Sequence, residues 1–376
     1  MTTVKNCHND RKLGALTGVR FLAAAAVLVC HYHQLGLIQV WPGLVAFLDG
    51  GRPAVTLFFV LSGFILAYNY YALDSRAETR GFWVSRLARL YPNVLLGLAI
   101  AIPTVVIAIF DGRRNYMLDW FALDNHYALG LTVSFLAQLT MTTAWLPVAS
   151  FNQPWNGPAW SIGCEVFFYL LFPLLIRCVR RHSTRTLLVI LIVGFIAQGI
   201  LIATIGTFAP VGRAGFLVSQ FPVTHLYSFL LGISACRIYL SHGSKLSRVP
   251  WFRPVALSFS IACVSTLAVT QVVKPFYYPM APFFALIILA LALPTRRYRS
   301  VLSLAPLILL GEASYALYMT HLPLGHIFQW AGASGPTGWI ALFATVVLSI
   351  AVLKWWETPM RKRIRTTLFR AYVERP

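Results

Sequence analysis

Arg20–His33 reads "RFLAAAAVLVCHYH", an almost wholly apolar run that opens on an arginine and closes on two histidines. It lies inside a longer apolar stretch, Leu13–Leu35, which is long enough to cross a bilayer as a helix. A guanidinium at the centre of such a span costs roughly 2.5–3.5 kcal/mol on insertion scales, so a chain that keeps one there has a reason to. Comparable apolar runs recur to the end of the chain. The expected fold class is therefore an all-α polytopic membrane protein of about ten transmembrane helices.

Composition agrees. Hydrophobic residues make up 58% of the 376 and charged residues only 11%, against about 25% charged in soluble domains. The net charge of +20 would suggest nucleic acid in a soluble protein. Here the basic residues fall in short loops between apolar runs, so a positive-inside topology accounts for them and no nucleic-acid partner is expected. Six cysteines show no CxxC spacing, which indicates neither a disulfide framework nor a metal site. The first run starts only after Lys12 and contains Arg20, which argues against a cleaved signal peptide.

The basic clusters Lys5–Lys12, Arg76–Arg89, Arg177–Arg185, Arg237–Arg253, Arg296–Arg299 and Arg361–Arg370 punctuate the chain. If all are cytoplasmic, an even number of spans separates neighbours. That pairs Leu13–Leu35 with Pro53–Tyr71, Pro92–Phe110 with Pro158–Val179, and Leu187–Ala209 with Phe216–Cys236. Val255–Val273 and Pro275–Pro294 follow, then Ala313–Trp330 and Thr337–Leu353. Leu131–Ala149 is surplus to this count and reads as re-entrant or interfacial; an eleventh span is the alternative. The expected organisation is one transmembrane domain, 13–362, between cytoplasmic tails 1–12 and 363–376, with no appended soluble domain.

In a bilayer the informative residues are the polar ones. Arg20 and His31 are eleven residues apart, three helical turns plus about 20°, so they share one face about 16 Å apart. His33 and Cys30 fall off that stripe. The competing reading is a snorkelling arginine with an interfacial histidine. In "FWVSRLARLYP" (Phe82–Pro92), Arg86 and Arg89 share a face at a cytoplasmic boundary. They are either positive-inside residues or a fork of guanidiniums for phosphate oxygens. In "PWNGPAWSIGCEVFFYLLFP" (Pro154–Pro173), Ser161, Glu165 and Tyr169 form one polar stripe. A carboxylate at that depth must pair, be protonated or line a cavity. Trp160 beside it reads as site-lining or as an interfacial belt residue. Ser314, Tyr318 and His321 share a face in "EASYALYMTHLP", with Tyr315 next to them. Ser62-Gly63 suits a close helix contact, and Glu312 and Glu357 suit pairing with nearby arginines.

Taken in order, these motifs resemble the acyltransferase-3 family of inner-membrane O-acyltransferases. The family's arginine–ten residues–histidine opening matches Arg20 and His31, and its "FFVLSGF" segment matches the second run. Its Arg-x-x-Arg motif matches Arg86 and Arg89, and "WSIGCEVFFY" places Glu165 at its acidic position. "SYALYMTH" and "WWETPMRK" match its late signatures. The similarity runs from about Leu13 to Lys362; Thr17-Gly18-Val19 departs from many relatives.

The resemblance implies transfer of an acyl group, usually acetyl from acetyl-CoA, to a hydroxyl of a cell-surface or lipid-linked carbohydrate; one branch acylates macrolides. The implied site has His31 and Glu165 as catalytic residues and Arg20, Arg86 and Arg89 as the acyl-CoA donor site. Ser62, Trp160, Ser161, Tyr315, Tyr318 and His321 line it. No permanent cofactor is expected; acyl-CoA, a glycan acceptor and membrane lipids are the expected partners, in the bacterial inner membrane. Neutral imidazole suits general-base work near pH 7, with Glu165 orienting His31 if the spans meet. An acetyl-histidine intermediate is the alternative. The rivals from other classes are a flippase for lipid-linked saccharides, which would show inverted repeats, and a non-catalytic subunit of a synthase complex.

Overall fold

Each of the ten expected runs carries a helix in the computed structural model, which describes residues 13–48, 51–110, 127–210, 213–273, 276–294 and 300–373. Among these, eight helices are long and apolar enough to cross a membrane. The tail 1–12, the cluster Arg296–Arg299 and residues 111–126 of the loop after the third run lie outside the described residues.

The order is α1 (Gly14–Gln34), α2 (Pro42–Leu48), α3 (Arg52–Asn69), α4 (Arg76–Phe110), α5 (Tyr127–Leu139), α6 (Ala149–Asn152) and α7 (Trp160–Arg181). Then come α8 (Thr184–Phe208), α9 (Ala214–Gln220), α10 (Leu226–Leu246), α11 (Phe252–Thr270) and α12 (Ala281–Ala292). Last are α13 (Ala305–Trp330), α14 (Pro336–Val352), a π-helical turn Leu353–Glu357, and α15 (Thr358–Val373).

Two boundaries differ from the sequence reading. Phe216–Cys236 is not one span: Pro222 lacks an amide hydrogen, and the chain breaks there between α9 and α10. The third run, expected to begin at Pro92, begins at Arg76 as α4, which takes in Arg86 and Arg89 and carries Pro92 and Pro103 inside it. Leu131–Ala149, read as re-entrant or interfacial, is not one continuous helix, because α5 ends at Leu139. Its 13 residues rise only about 20 Å, short of a hydrocarbon core of about 30 Å.

Helix α13 is the centre of the bundle. Every residue from Ala313 to Pro323 is buried, and α1, α4 and α14 pack around it. Its 26 residues are long enough to cross, yet it is absent from the apolar spans, because Glu312, one serine, two tyrosines and two histidines lower its hydropathy. At the other extreme, α8 is only 17% buried and carries exposed Ile192, Val193, Ile196 and Ile200, a face suited to lipid.

Two crossings place the site helices. A Cβ on Gly311 would meet the Thr17 carbonyl oxygen at 1.9 Å, so α1 and α13 touch backbone to backbone. Between α3 and α10, a Cβ on Gly232 would lie 1.9 Å from the Val60 oxygen, and one on Gly63 2.1 Å from the Phe229 oxygen. The close contact expected at Ser62-Gly63 is therefore present. Neither obstacle is a flexible side chain, so Gly232→Val is expected to destabilise the fold by about 3 kcal/mol or more. Gly206→Ala, where nothing lies within 4 Å, is the neutral control. Thermal unfolding of the two detergent-solubilised variants against the parent checks this.

Candidate functional site

A cavity of about 280 Å³ opens where α1, α3, α4, α7, α13 and α15 meet. Its charged wall holds four guanidiniums, those of Arg20, Arg86, Arg89 and Arg361, and one carboxyl group, that of Glu165. Phe58, Phe59, Ile65 and Leu66 of α3 supply much of the apolar wall, and Ser62 lies among them. Ser161, Tyr169, Ser314, Tyr315 and Tyr318 add hydroxyl groups to the lining.

Several of these polar side chains are held by a second group. Helical spacing brings Ser161, Glu165 and Tyr169 to one face of α7, as expected, and Tyr169 donates to Glu165 Oε2 at 2.6 Å. Ser161 donates to the Tyr318 hydroxyl at 2.9 Å, which ties α7 to α13. Arg86 donates to the Tyr70 hydroxyl at 3.2 Å and lies over the Tyr70 ring, 5.3 Å from its centroid. Its Nε is buried without a hydrogen-bond partner. Arg89 is engaged more firmly: its Nη1 lies 2.9 Å from Oε1 of Glu357, which is 1% exposed.

Glu357 was legible in sequence as an arginine's partner, but not as part of this site. The π turn delivers it to Arg89, while Asn93 Nδ2 donates to its other oxygen at 2.7 Å. Trp356 in the same turn donates to the Pro92 carbonyl at 2.8 Å, fixing the turn against α4. Arg361 was also missed. It follows Glu357 by four residues in "WWETPMRK", the i, i+4 spacing that puts both on one face.

His31 and His321 are not on the cavity wall; they lie beyond Tyr318, whose ring is 5.8 Å from that of His321. The two histidines face each other across the α1–α13 crossing, with Nδ1 of His31 2.7 Å from Nε2 of His321. Their rings are nearly parallel, at 12°, with centroids 5.0 Å apart. His33 turns away, with Nδ1 3.2 Å from the Ile38 carbonyl oxygen, as its phase on α1 requires.

The structure corrects three expectations, the first being that His321 lines the cavity. Glu165 does not hold His31, because its hydrogen bond goes to Tyr169 and the partner of His31 is His321. Trp160 does not line this cavity. It stands edge-on to Phe59 and 5.5 Å from His225, beside a separate recess of about 20 Å³. A tryptophan one residue before Ser161 points about 100° away from it on a helix, which is enough to send it to the other side of α3.

Next to the cavity, the α3–α4 connection is pinned from α7. Arg180 forks onto Asp74 at 2.6 and 3.3 Å and holds that carboxyl below its ordinary range by hydrogen bonding. Arg177 donates to the Leu73 and Asp74 carbonyls. These contacts fix the segment that carries Tyr70, and through it Arg86.

An acyltransferase-domain family model matches residues 13–355. The chain is 30% identical to acyltransferase MdmB of Streptomyces mycarofaciens, over 91% of this chain and 89% of that protein. It is 24% identical to O-acetyltransferase OatA of Staphylococcus aureus, over 96% of this chain and 59% of that one. It is also 24% identical to YrhL of Bacillus subtilis, a putative peptidoglycan O-acetyltransferase, over 98% of this chain and 57% of that one. The chain thus spans little more than half the length of these last two relatives. No solved structure matches it.

Proposed function

From the premise that this chain belongs to the acyltransferase-3 family, and is a multi-pass membrane O-acyltransferase, we propose its donor, acceptor and chemistry. It moves an acetyl group from cytoplasmic acyl-CoA to a hydroxyl of a cell-surface or lipid-linked carbohydrate, in the bacterial inner membrane. One observation carries this reading: a cavity walled by four guanidiniums extends to Tyr318, behind which a histidine pair sits.

The donor has a phosphorylated head on a long, thin arm that ends in a thioester. Arg86 and Arg361 are the guanidiniums suited to the phosphates, since Glu357 already neutralises Arg89. The apolar strip from α3 suits the arm, and Arg20 lies farther along the same wall. His31 takes the proton of the attacking hydroxyl. Glu165, which accepts a hydrogen bond from Tyr169, supplies the cavity's one carboxyl group. A carbohydrate acceptor is supported by the name of one relative, a putative peptidoglycan O-acetyltransferase.

Membranes containing the protein, given acetyl-labelled acetyl-CoA, are expected to yield label on glycan that mild base releases as acetate, the behaviour of an ester. Label that enters vesicles without becoming esterified would favour the flippase. Arg86→Gln is expected to raise KM for acetyl-CoA about tenfold or more, with kcat little changed, because a charge-assisted contact contributes about 1.5–3 kcal/mol. An unchanged KM would remove Arg86 from the phosphate site.

A further inference from the structure

His321 sits 1% exposed inside α13, and its hydrogen bonds fix where its proton must be. Its Nδ1 lies 2.7 Å from the Tyr318 carbonyl oxygen and 3.2 Å from that of Leu317. A carbonyl only accepts, so Nδ1 of His321 carries hydrogen. Burial among apolar helices favours the neutral ring, which carries one hydrogen only, and the lone pair is therefore on Nε2. That lone pair faces Nδ1 of His31 at 2.7 Å. Nδ1 of His31 must donate to it, and the lone pair of a neutral His31 is left on Nε2.

We infer that His321 is the positioning residue for His31: as a neutral acceptor it locks His31 in the tautomer whose Nε2 is the base. This rests on the reading of His31 as general base. The order of groups is backbone carbonyl, His321, His31, acceptor hydroxyl. It performs the work that a buried carboxylate performs in a Ser-His-Asp triad, without an anion to desolvate in the membrane. Glu165, the carboxylate of the cavity wall, is committed to Tyr169.

In the transfer step the acceptor oxygen bonds to the acyl carbon as the carbon–sulfur bond breaks. The hydroxyl proton passes to Nε2 of His31, and the resulting imidazolium strengthens its Nδ1–H bond to His321. The proton then goes to the leaving CoA thiolate, which returns both rings to their starting forms.

The test uses the full-length protein in nanodiscs, with radiolabelled acetyl-CoA and native glycan-bearing membranes as acceptor. His321→Leu removes the acceptor and is expected to lower kcat by about 10²–10⁴-fold, with KM for acetyl-CoA held within about threefold. His321→Gln places an amide oxygen near the position of Nε2 and is expected to recover most of that loss. Nitrogen NMR of isotope-labelled histidine in the parent protein is expected to show His31 protonated on Nδ1, and this readout needs no variant to fold. His31 protonated on Nε2, or His321→Leu turning over at the parent rate, would overturn the inference. Full activity in His31→Ala would instead defeat the underlying general-base reading.

Discussion

Replacing His31 by alanine is expected to lower acetyl transfer by about 10²–10⁴-fold, the range contributed by a positioned general base, while acetyl-CoA still binds. The two effects separate because His31 is not part of the cavity wall. Along α1 it lies eleven residues, about 16 Å, from Arg20, which is part of that wall. Removing the imidazole therefore leaves the guanidiniums, the apolar strip of α3 and the Ser161–Tyr318 tie in place. Equilibrium binding of a non-transferable CoA analogue, beside single-turnover transfer, measures the two separately. Transfer at the parent rate would remove His31 from the chemistry. The same protein preparations distinguish direct attack from a covalent route. Incubation with labelled acetyl-CoA in the absence of acceptor labels the polypeptide at His31 only if an acetyl-histidine forms.

Glu357→Ala is expected to cost about 3–5 kcal/mol of stability, because it leaves a largely buried guanidinium without its anion. The structure makes the loss worse than an ordinary broken pair. Arg89 shares its cavity with Arg20, Arg86 and Arg361, so the uncompensated charge faces like charges. Asn93 loses the acceptor of its 2.7 Å hydrogen bond at the same time. The melting midpoint in detergent and the monodisperse fraction after extraction are the measurements. Arg89→Met combined with Glu357→Met is expected to recover most of the lost stability, since removing both members of a buried pair is far less costly than removing one. A single Glu357→Ala variant that melts with the parent would show that the pair carries no structural role.

How far the site could be read in advance depended on whether its signal was local. Arg20 with His31, and Ser161 with Glu165 and Tyr169, were legible because helical phase alone puts each set on one face. The meeting of His31 with His321 was not, since 290 residues separate them and no spacing rule spans that distance. Glu165 is the opposite case: a buried carboxylate has to be satisfied, and its donor, Tyr169, lies one turn on along its own helix. The ten apolar runs were legible as helices, while their ends were not where proline misled. Pro222 breaks an apolar run that hydropathy reads as continuous, whereas Pro92 sits inside a helix that hydropathy would start there. Helix α13 inverts the usual criterion, as protein rather than lipid surrounds its middle, so low hydropathy marks it as the innermost helix.

The wide turn at Leu353–Glu357 has a consequence for phase. A π turn takes more residues than an α turn to complete one revolution. Each extra residue rotates the downstream helix by about 100° against an unbroken one. Glu357 closes that turn and Arg361 lies one ordinary turn beyond it, so the anion on Arg89 and the fourth guanidinium of the cavity are set by the same offset. The electrostatics of this wall are thus indexed to a count of residues as well as to their identity. Changes of length between α14 and α15 would reach the cavity as changes of charge, even with every side chain in the cavity wall retained.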